Sequence, residues 1–216
     1  MKTVDPAFFA LLQNAPQDGI VPRWFVSVIA RTYPDANGNT SLETKSFWSG
    51  DRPVTVEVRS LIDGEVYART FQGQVDLDTG ESVSTSTLEV NTRTVSMTML
   101  NPAVEDMSRG LDCRAGSLEI WIGLLDPTTR QLSSMPENDY LGVIDGASVQ
   151  TAAEDGGGEV LEIRLVNDAM VNLTRPNPAK SSAEEQKKRK GPNGEVDNFG
   201  KYAGSVANWI EPWGEE

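Results

Sequence analysis

Carboxylates are the chemistry-bearing side chains most abundant in this sequence: 32 Asp and Glu stand against 19 Lys and Arg, with no histidine and a single cysteine, Cys113. Without imidazole there is no Ser-His-Asp or Cys-His arrangement, no His-based metal site and no imidazole general base. The sequence also contains no Gly-x-x-x-x-Gly-Lys phosphate loop, no Gly-x-Gly-x-x-Gly turn and no Gly-x-Ser-x-Gly elbow. Two acids side by side, Asp76 with Asp78 or Glu105 with Asp106, have the residue types of a glycosidase acid and base, although neighbours in sequence do not make such a pair. In a chain this acidic they read as solvated side chains. Asp76-Leu77-Asp78-Thr79-Gly80-Glu81 resembles a piece of a calcium loop but lacks the third oxygen ligand position and the distal glutamate. Cys113 reads as a small buried side chain. These residues predict a protein that is not an enzyme and holds no cofactor or metal.

A net charge of -13 disfavours tight binding to nucleic acid or to an anionic membrane. The apolar patch at the N-terminus breaks at Gln13, Asn14 and Pro16, too soon for a signal core or a membrane span, so a soluble protein made in a cytoplasm is expected.

The elements that must position these residues are mainly strands. Asp5 followed by Ala7 to Gln13 predicts a short capped helix with Phe8, Leu11 and Leu12 on one face, ended by Pro16; it serves as a lid on its own domain or as a clip onto a neighbour. From Trp24 onward the period is two. The run Trp24 to Ala30 precedes a turn at Pro34 to Asn39, Val54, Val56 and Val58 alternate with polar residues, and Asp63-Gly64 marks a hairpin before Tyr67, Arg69, Phe71 and Val75. Leu88 to Met99 alternates again. Leu118, Ile120, Ile122 and Leu124 share a face opposite Glu119, Trp121 and Gly123, with turns expected at Asp126 to Arg130, at Asp145-Gly146 and at Gly156 to Gly158. Many short strands with no long helix between them predict an antiparallel β-barrel, split barrel or sandwich over residues 23–178, after an N-terminal helix and linker over 1–22.

Residues 179–216 read as a C-terminal arm: a helix-prone stretch from Ser181 to Lys190, acids first and bases last, then a Gly-rich segment carrying Phe199, Tyr202, Trp209 and Trp213. Lys187 to Lys190 read as a solvated helix end in preference to a nucleic-acid patch, because the acids beside them dilute the field, with docking to an acidic neighbour as a further use. Large aromatics in so polar a tail require cover, from the chain's own domain or from another subunit.

Six segments in order, Ser46-Phe47-Trp48-Ser49-Gly50, Tyr67 to Val75 with Phe71-Gln72-Gly73, Leu88 to Asn91, Arg109-Gly110-Leu111-Asp112, Leu118 to Gly123 and Gly142 to Gly146, are similar to the N-terminal part of hub proteins from gene transfer agents and long-tailed phages. The chain also looks distantly like the minor tail protein L group of lambda-like phages. Ser182-x-x-x-Gln186-x-x-Arg189, Asp197-x-Phe199 and Ile210-x-x-Trp213-Gly214 resemble the endings of several Mu-like and lambda-like tail-tip proteins. The resemblance implies a barrel or split barrel related to tail-tube subunits, assembled as a trimeric or hexameric ring coaxial with the tube, in contact with the tail tube protein and other tail-tip proteins. DNA would be passing cargo in a conduit whose acidity repels phosphate, no membrane would be bound, and the protein would reside in the virion tail after assembly in the host cytoplasm. Relatives with a longer C-terminus hold an iron-sulfur cluster through several cysteines, which the lone Cys113 cannot do. Arg109, Asp112, Trp121 and the four arm aromatics are the expected structure-fixing or interface positions; Arg109 and Asp112 alternatively pair across a turn, and Trp121 is alternatively a plain strand residue. A second reading is a carbohydrate- or receptor-binding β module with Trp24 or Trp121 as its platform. A third is a carboxylate-based peptidoglycan hydrolase.

Overall fold

In the computed structural model of the chain, residues 4–81, 92–151 and 158–167 are described, together with 187, 188, 190, 194–196 and 198. The chain divides into two compact units, Met1–Asn172 and Leu173–Glu216. The first unit is mainly β and antiparallel. Helix α1 (Pro6–Asp18) leads into β1 (Val21–Thr32), β2 (Leu42–Trp48), β3 (Val54–Arg59), β4 (Val66–Phe71) and β5 (Thr92–Thr98). Helix α2 (Pro102–Gly110) then precedes β6 (Leu111–Leu125), β7 (Glu137–Gln150) and β8 (Val160–Asn167). Six strands form one sheet in the order β2-β1-β6-β7-β8-β5, and β3 and β4 form a separate hairpin.

The period of two decides which residues meet. On one face Val26, Val28 and Ala30 of β1 join Phe47 of β2, Leu118 and Ile120 of β6, Ile144 of β7, Leu161, Ile163 and Leu165 of β8, and Val95 and Met97 of β5. Side chains from both edge strands share that cluster, so the sheet is curled around it. The edges β2 and β5 do not pair with each other, and the barrel expected from the sequence is not closed. The segment after β4 touches both edges instead: Gln72 bridges to Phe47 of β2, and Asp78 bridges to Ser96 of β5. Val75 of this segment is buried in the shared core, and Asn101 donates from Nδ2 to the Gly73 carbonyl at 2.9 Å.

The other face of β1 and β6 is also apolar, because Phe25 and Trp121 sit there, and the β3–β4 hairpin covers it with Val56, Val58 and Phe71. Trp48 stacks on Phe25 at 5.5 Å, Phe71 meets Phe25 edge-on at 5.1 Å, and Trp121 meets Phe71 edge-on at 6.2 Å. Such aromatic pairs contribute about 0.5–1.5 kcal/mol each beyond their buried area.

The turns at Asp35, Asp63 and Asp126 form where the sequence places them, each aspartate accepting backbone N–H bonds two to four residues ahead. Three local expectations are corrected. Helix α1 runs through Pro16, which costs a single bond near its end, and stops at Gly19, whose φ of 76° leaves the helical region. Asp145-Gly146 is not a turn but a bulge inside β7, where the register to β8 shifts between Ile144 and Gly146. Helix α2, absent from the sequence reading, is started by Asn101, whose side chain accepts from the Ala103 N–H at 2.9 Å, with Pro102 following, and it buries Val104 and Met107 in the main core. Of the expected helical arm, Ser181 to Gln186 lie outside the described residues; Lys187 and Lys188 lie in a turn, and Lys190 bridges antiparallel to Val196, with Gly194 at φ 79°.

Gly50 lies flat against the ring of Trp48, and a Cβ added there would overlap the indole. Gly50→Ala is expected to cost about 1–3 kcal/mol in urea unfolding. Gly146→Ala, with nothing within 4 Å of the new atom, is expected to stay within about 0.5 kcal/mol of the parent.

Candidate functional site

A charged side chain inside an apolar strand must be paired or it destabilises the fold. Glu119 stands in the middle of β6 between Leu118 and Ile120, points to the hairpin side with Trp121, and has no solvent exposure. Its Oε1 accepts from the Ser60 hydroxyl at 2.9 Å and the Leu61 N–H at 2.6 Å, and its Oε2 accepts from Arg69 Nη1 at 2.7 Å. All three donors belong to the hairpin or its turn. The Arg69 guanidinium lies 5.3 Å from the Trp121 ring centre and 5.6 Å from that of Tyr67. Trp121 in turn donates from Nε1 to the Arg59 carbonyl at 2.8 Å. Beside them on the same face, the Ser27 and Ser46 hydroxyls are 2.7 Å apart and both buried. The hairpin is therefore pinned by one carboxylate, one indole and the aromatic row. With both oxygens engaged and no contact with solvent, Glu119 is a structural anion.

A second network closes the curled sheet from inside. Arg93, buried on β5, donates from Nε to the Thr79 carbonyl at 2.6 Å and from Nη1 to Asp139 at 2.6 Å, and Nη2 reaches the Thr79 hydroxyl at 3.3 Å. Trp24 and Tyr140 hold the guanidinium between their rings at 5.6 and 5.5 Å. One side chain thereby ties the bridging segment to β5, β7 and β1. Burial pushes the Tyr140 phenol above its ordinary range, with the Arg93 charge opposing the shift.

The positions singled out in the sequence fall apart spatially. Trp121 is wholly buried under the hairpin, a structure-fixing position with no surface for a sugar, and Trp24 is stacked on Arg93. Arg109 does not pair with Asp112; it lies on the exposed end of α2 and bonds Glu105 one turn back at 3.1 Å. Asp112 begins β6 opposite Arg31 and accepts from the Arg114 N–H at 3.2 Å. Phe199, Tyr202, Trp209 and Trp213 lie outside the described residues. Cys113 is buried in the main core, and its thiol is pushed up by burial and by the Asp112 carboxylate. Asp78 accepts from the Gly80 N–H at 2.9 Å, and Asp106 holds Lys45 at 2.9 Å. Sequence reasoning singled out neither Glu119 nor Arg93: Glu119, flanked by Leu118 and Ile120, carries the signal of a buried pair, whereas Arg93 stands between Thr92 and Thr94 and carries none.

Two of the six segments compared above, Ser46–Gly50 and Tyr67–Val75, meet in the structure. Trp48 N–H donates to the Gln72 carbonyl at 3.0 Å, Gln72 N–H to Ser46 at 2.9 Å, and Gln74 N–H to Gly50 at 2.8 Å. Compared with known proteins, the sequence matches no family model and no curated protein.

Replacing Glu119 by Ala leaves the partly buried Arg69 without its anion and is expected to cost about 3–5 kcal/mol in equilibrium unfolding. Trp121→Phe loses one hydrogen bond and part of the buried ring, and about 1–2 kcal/mol is expected. Equal costs for the two would contradict the anchoring role of the carboxylate.

Proposed function

We propose that this chain is a non-enzymatic structural subunit of a bacteriophage-type tail tip, a hub or distal ring that extends the tail tube, connects it to the tip proteins and lines part of the DNA conduit. The observation that carries this reading is helix α1. It is held at its start, where the Asp5 N–H donates to Glu137 at 2.8 Å and Phe8 is buried, yet Phe9 and Leu12 remain 52% and 42% exposed, with Ile20 at 41% beyond its end. An amphipathic helix anchored at one turn, with Phe9 and Leu12 left exposed, suits the clip onto a neighbouring subunit. The curled antiparallel sheet is compatible with a split barrel of the tail-tube kind, and the junction of the Ser46–Gly50 and Phe71–Gly73 segments supports the resemblance that suggested it. The two strongest buried charges hold the fold together, as befits a part that bears load. A net charge of -13 keeps passing DNA from adhering.

The test is negative-stain imaging of particles purified from the organism that encodes the chain, labelled with antibody to it and classified for rotational symmetry. Label at the distal end of a tail, on a feature of three-fold or six-fold symmetry, is expected, together with reduced incorporation of a Phe9→Ser/Leu12→Ser variant that still folds. Label absent from tails, or a variant incorporated as well as the parent, would sink the proposal.

A further inference from the structure

Three arginines that are far apart in sequence line one cleft of about 490 Å³ beside the aromatic row: Arg23 of β1, Arg52 after β2 and Arg130 in the turn between β6 and β7. The volume falls within the about 300–1,000 Å³ usual for small-ligand sites. Among the described residues none of the three forms a salt bridge, and the one polar contact among their side chains is the bond from Arg23 Nη1 to the neighbouring Pro22 carbonyl at 3.3 Å. Among the described residues Asp51 is the one carboxylate on the cleft wall, so three positive charges face one negative charge there in a chain whose net charge is -13. With 32 acids in the sequence, an excess of unpaired guanidinium in one cleft is a local reversal of sign.

The cleft is built on fixed backbone. The Trp24 N–H donates to the Ser49 hydroxyl and the Ser49 N–H to the Trp24 carbonyl, at 2.9 and 3.0 Å, while Trp48 Nε1 donates to the Arg52 carbonyl at 2.7 Å. Arg130 is set by the Asp126 turn, its N–H donating to the Asp126 carbonyl at 2.9 Å. The Trp48 ring has Phe25 stacked on one side and lies against Gly50, so it offers no free face on which a neutral sugar can stack. Recognition in this cleft must come from charge, with Trp48 and Leu125 giving an apolar wall.

We propose that this cleft binds a small molecule through a phosphate monoester group. Such a group carries about 1.5–2 negative charges near neutral pH and three terminal oxygens, and it matches the forked donors of three guanidinium groups. Nucleic acid fits less well, since the surrounding surface repels a long polyanion while a single phosphate needs to meet only the cleft. This site is independent of the tail-tip assignment.

Isothermal titration of the full-length protein with a hexose phosphate, its parent hexose and a single-stranded DNA oligonucleotide tests the proposal. Saturable binding of the hexose phosphate is expected, weakened by added salt and at least about tenfold in Arg52→Gln and in Arg130→Gln, with no binding of the parent hexose. Melting curves matching the parent's should accompany both variants, because these side chains are exposed. The proposal is overturned if the hexose phosphate does not bind, if the folded variants bind it as tightly as the parent, if the neutral hexose binds equally well, or if the oligonucleotide alone binds.

Discussion

Strands β1 and β6 carry apolar side chains on both faces, and that single constraint organises the first unit. Val26, Val28, Leu118 and Ile120 require cover on one side, Phe25 and Trp121 on the other. A six-stranded sheet curling on itself supplies only the first. The second must come from an added layer, and the β3–β4 hairpin is that layer. Because an apolar contact alone is tolerant of sliding, the position of the hairpin is set by directional groups: Glu119, which fixes Ser60, Leu61 and Arg69, and Trp121, which fixes Arg59. Burying the Glu119 charge is costly, and the three donors together with the nearby aromatic faces offset that cost.

Closure of the curled sheet obeys a similar logic. Edge strands left open invite pairing with other chains, and here each edge receives a short bridge from the segment following the hairpin. That segment has little regular hydrogen bonding of its own, and Gln74 and Asp76 adopt positive φ of 58° and 46°, conformations held only by their surroundings. Arg93 provides much of that hold through its two bonds to Thr79 and its ion pair with Asp139. The hairpin and the closing segment are consecutive in sequence, so fixing one limits the freedom of the other. The same junction fixes Gly50 and Arg52 at the rim of the arginine cleft.

Local signals in the sequence carried the local structure. Alternation in Val54 to Val58 and in Leu118 to Leu124, and the Asp-led turns, are short-range patterns, and each appears where its residues require. Helix α2 was legible too, in Asn101-Pro102 followed by Val104 and Met107 three apart, but a nine-residue helix is easily lost among strands. Asp145-Gly146 misled because a bulge and a turn use the same residue types. What no period could reveal was which face of β1 and β6 needed a second layer, and hence that Glu119 and Arg69, 50 residues apart, would meet. Arg23, Arg52 and Arg130 share a cleft for the same reason, one imposed by tertiary pairing.

If Glu119 and Trp121 join the hairpin to the sheet as one cooperative unit, the hairpin has no stable life apart from it. Native-state hydrogen exchange, resolved by strand along a denaturant series, measures this directly. The amides of β3 and β4 are predicted to open with the same free energy and the same denaturant dependence as those of β1 and β6. Hairpin amides that exchange through a separate opening, several kcal/mol easier than that of β1 and β6, would contradict the account.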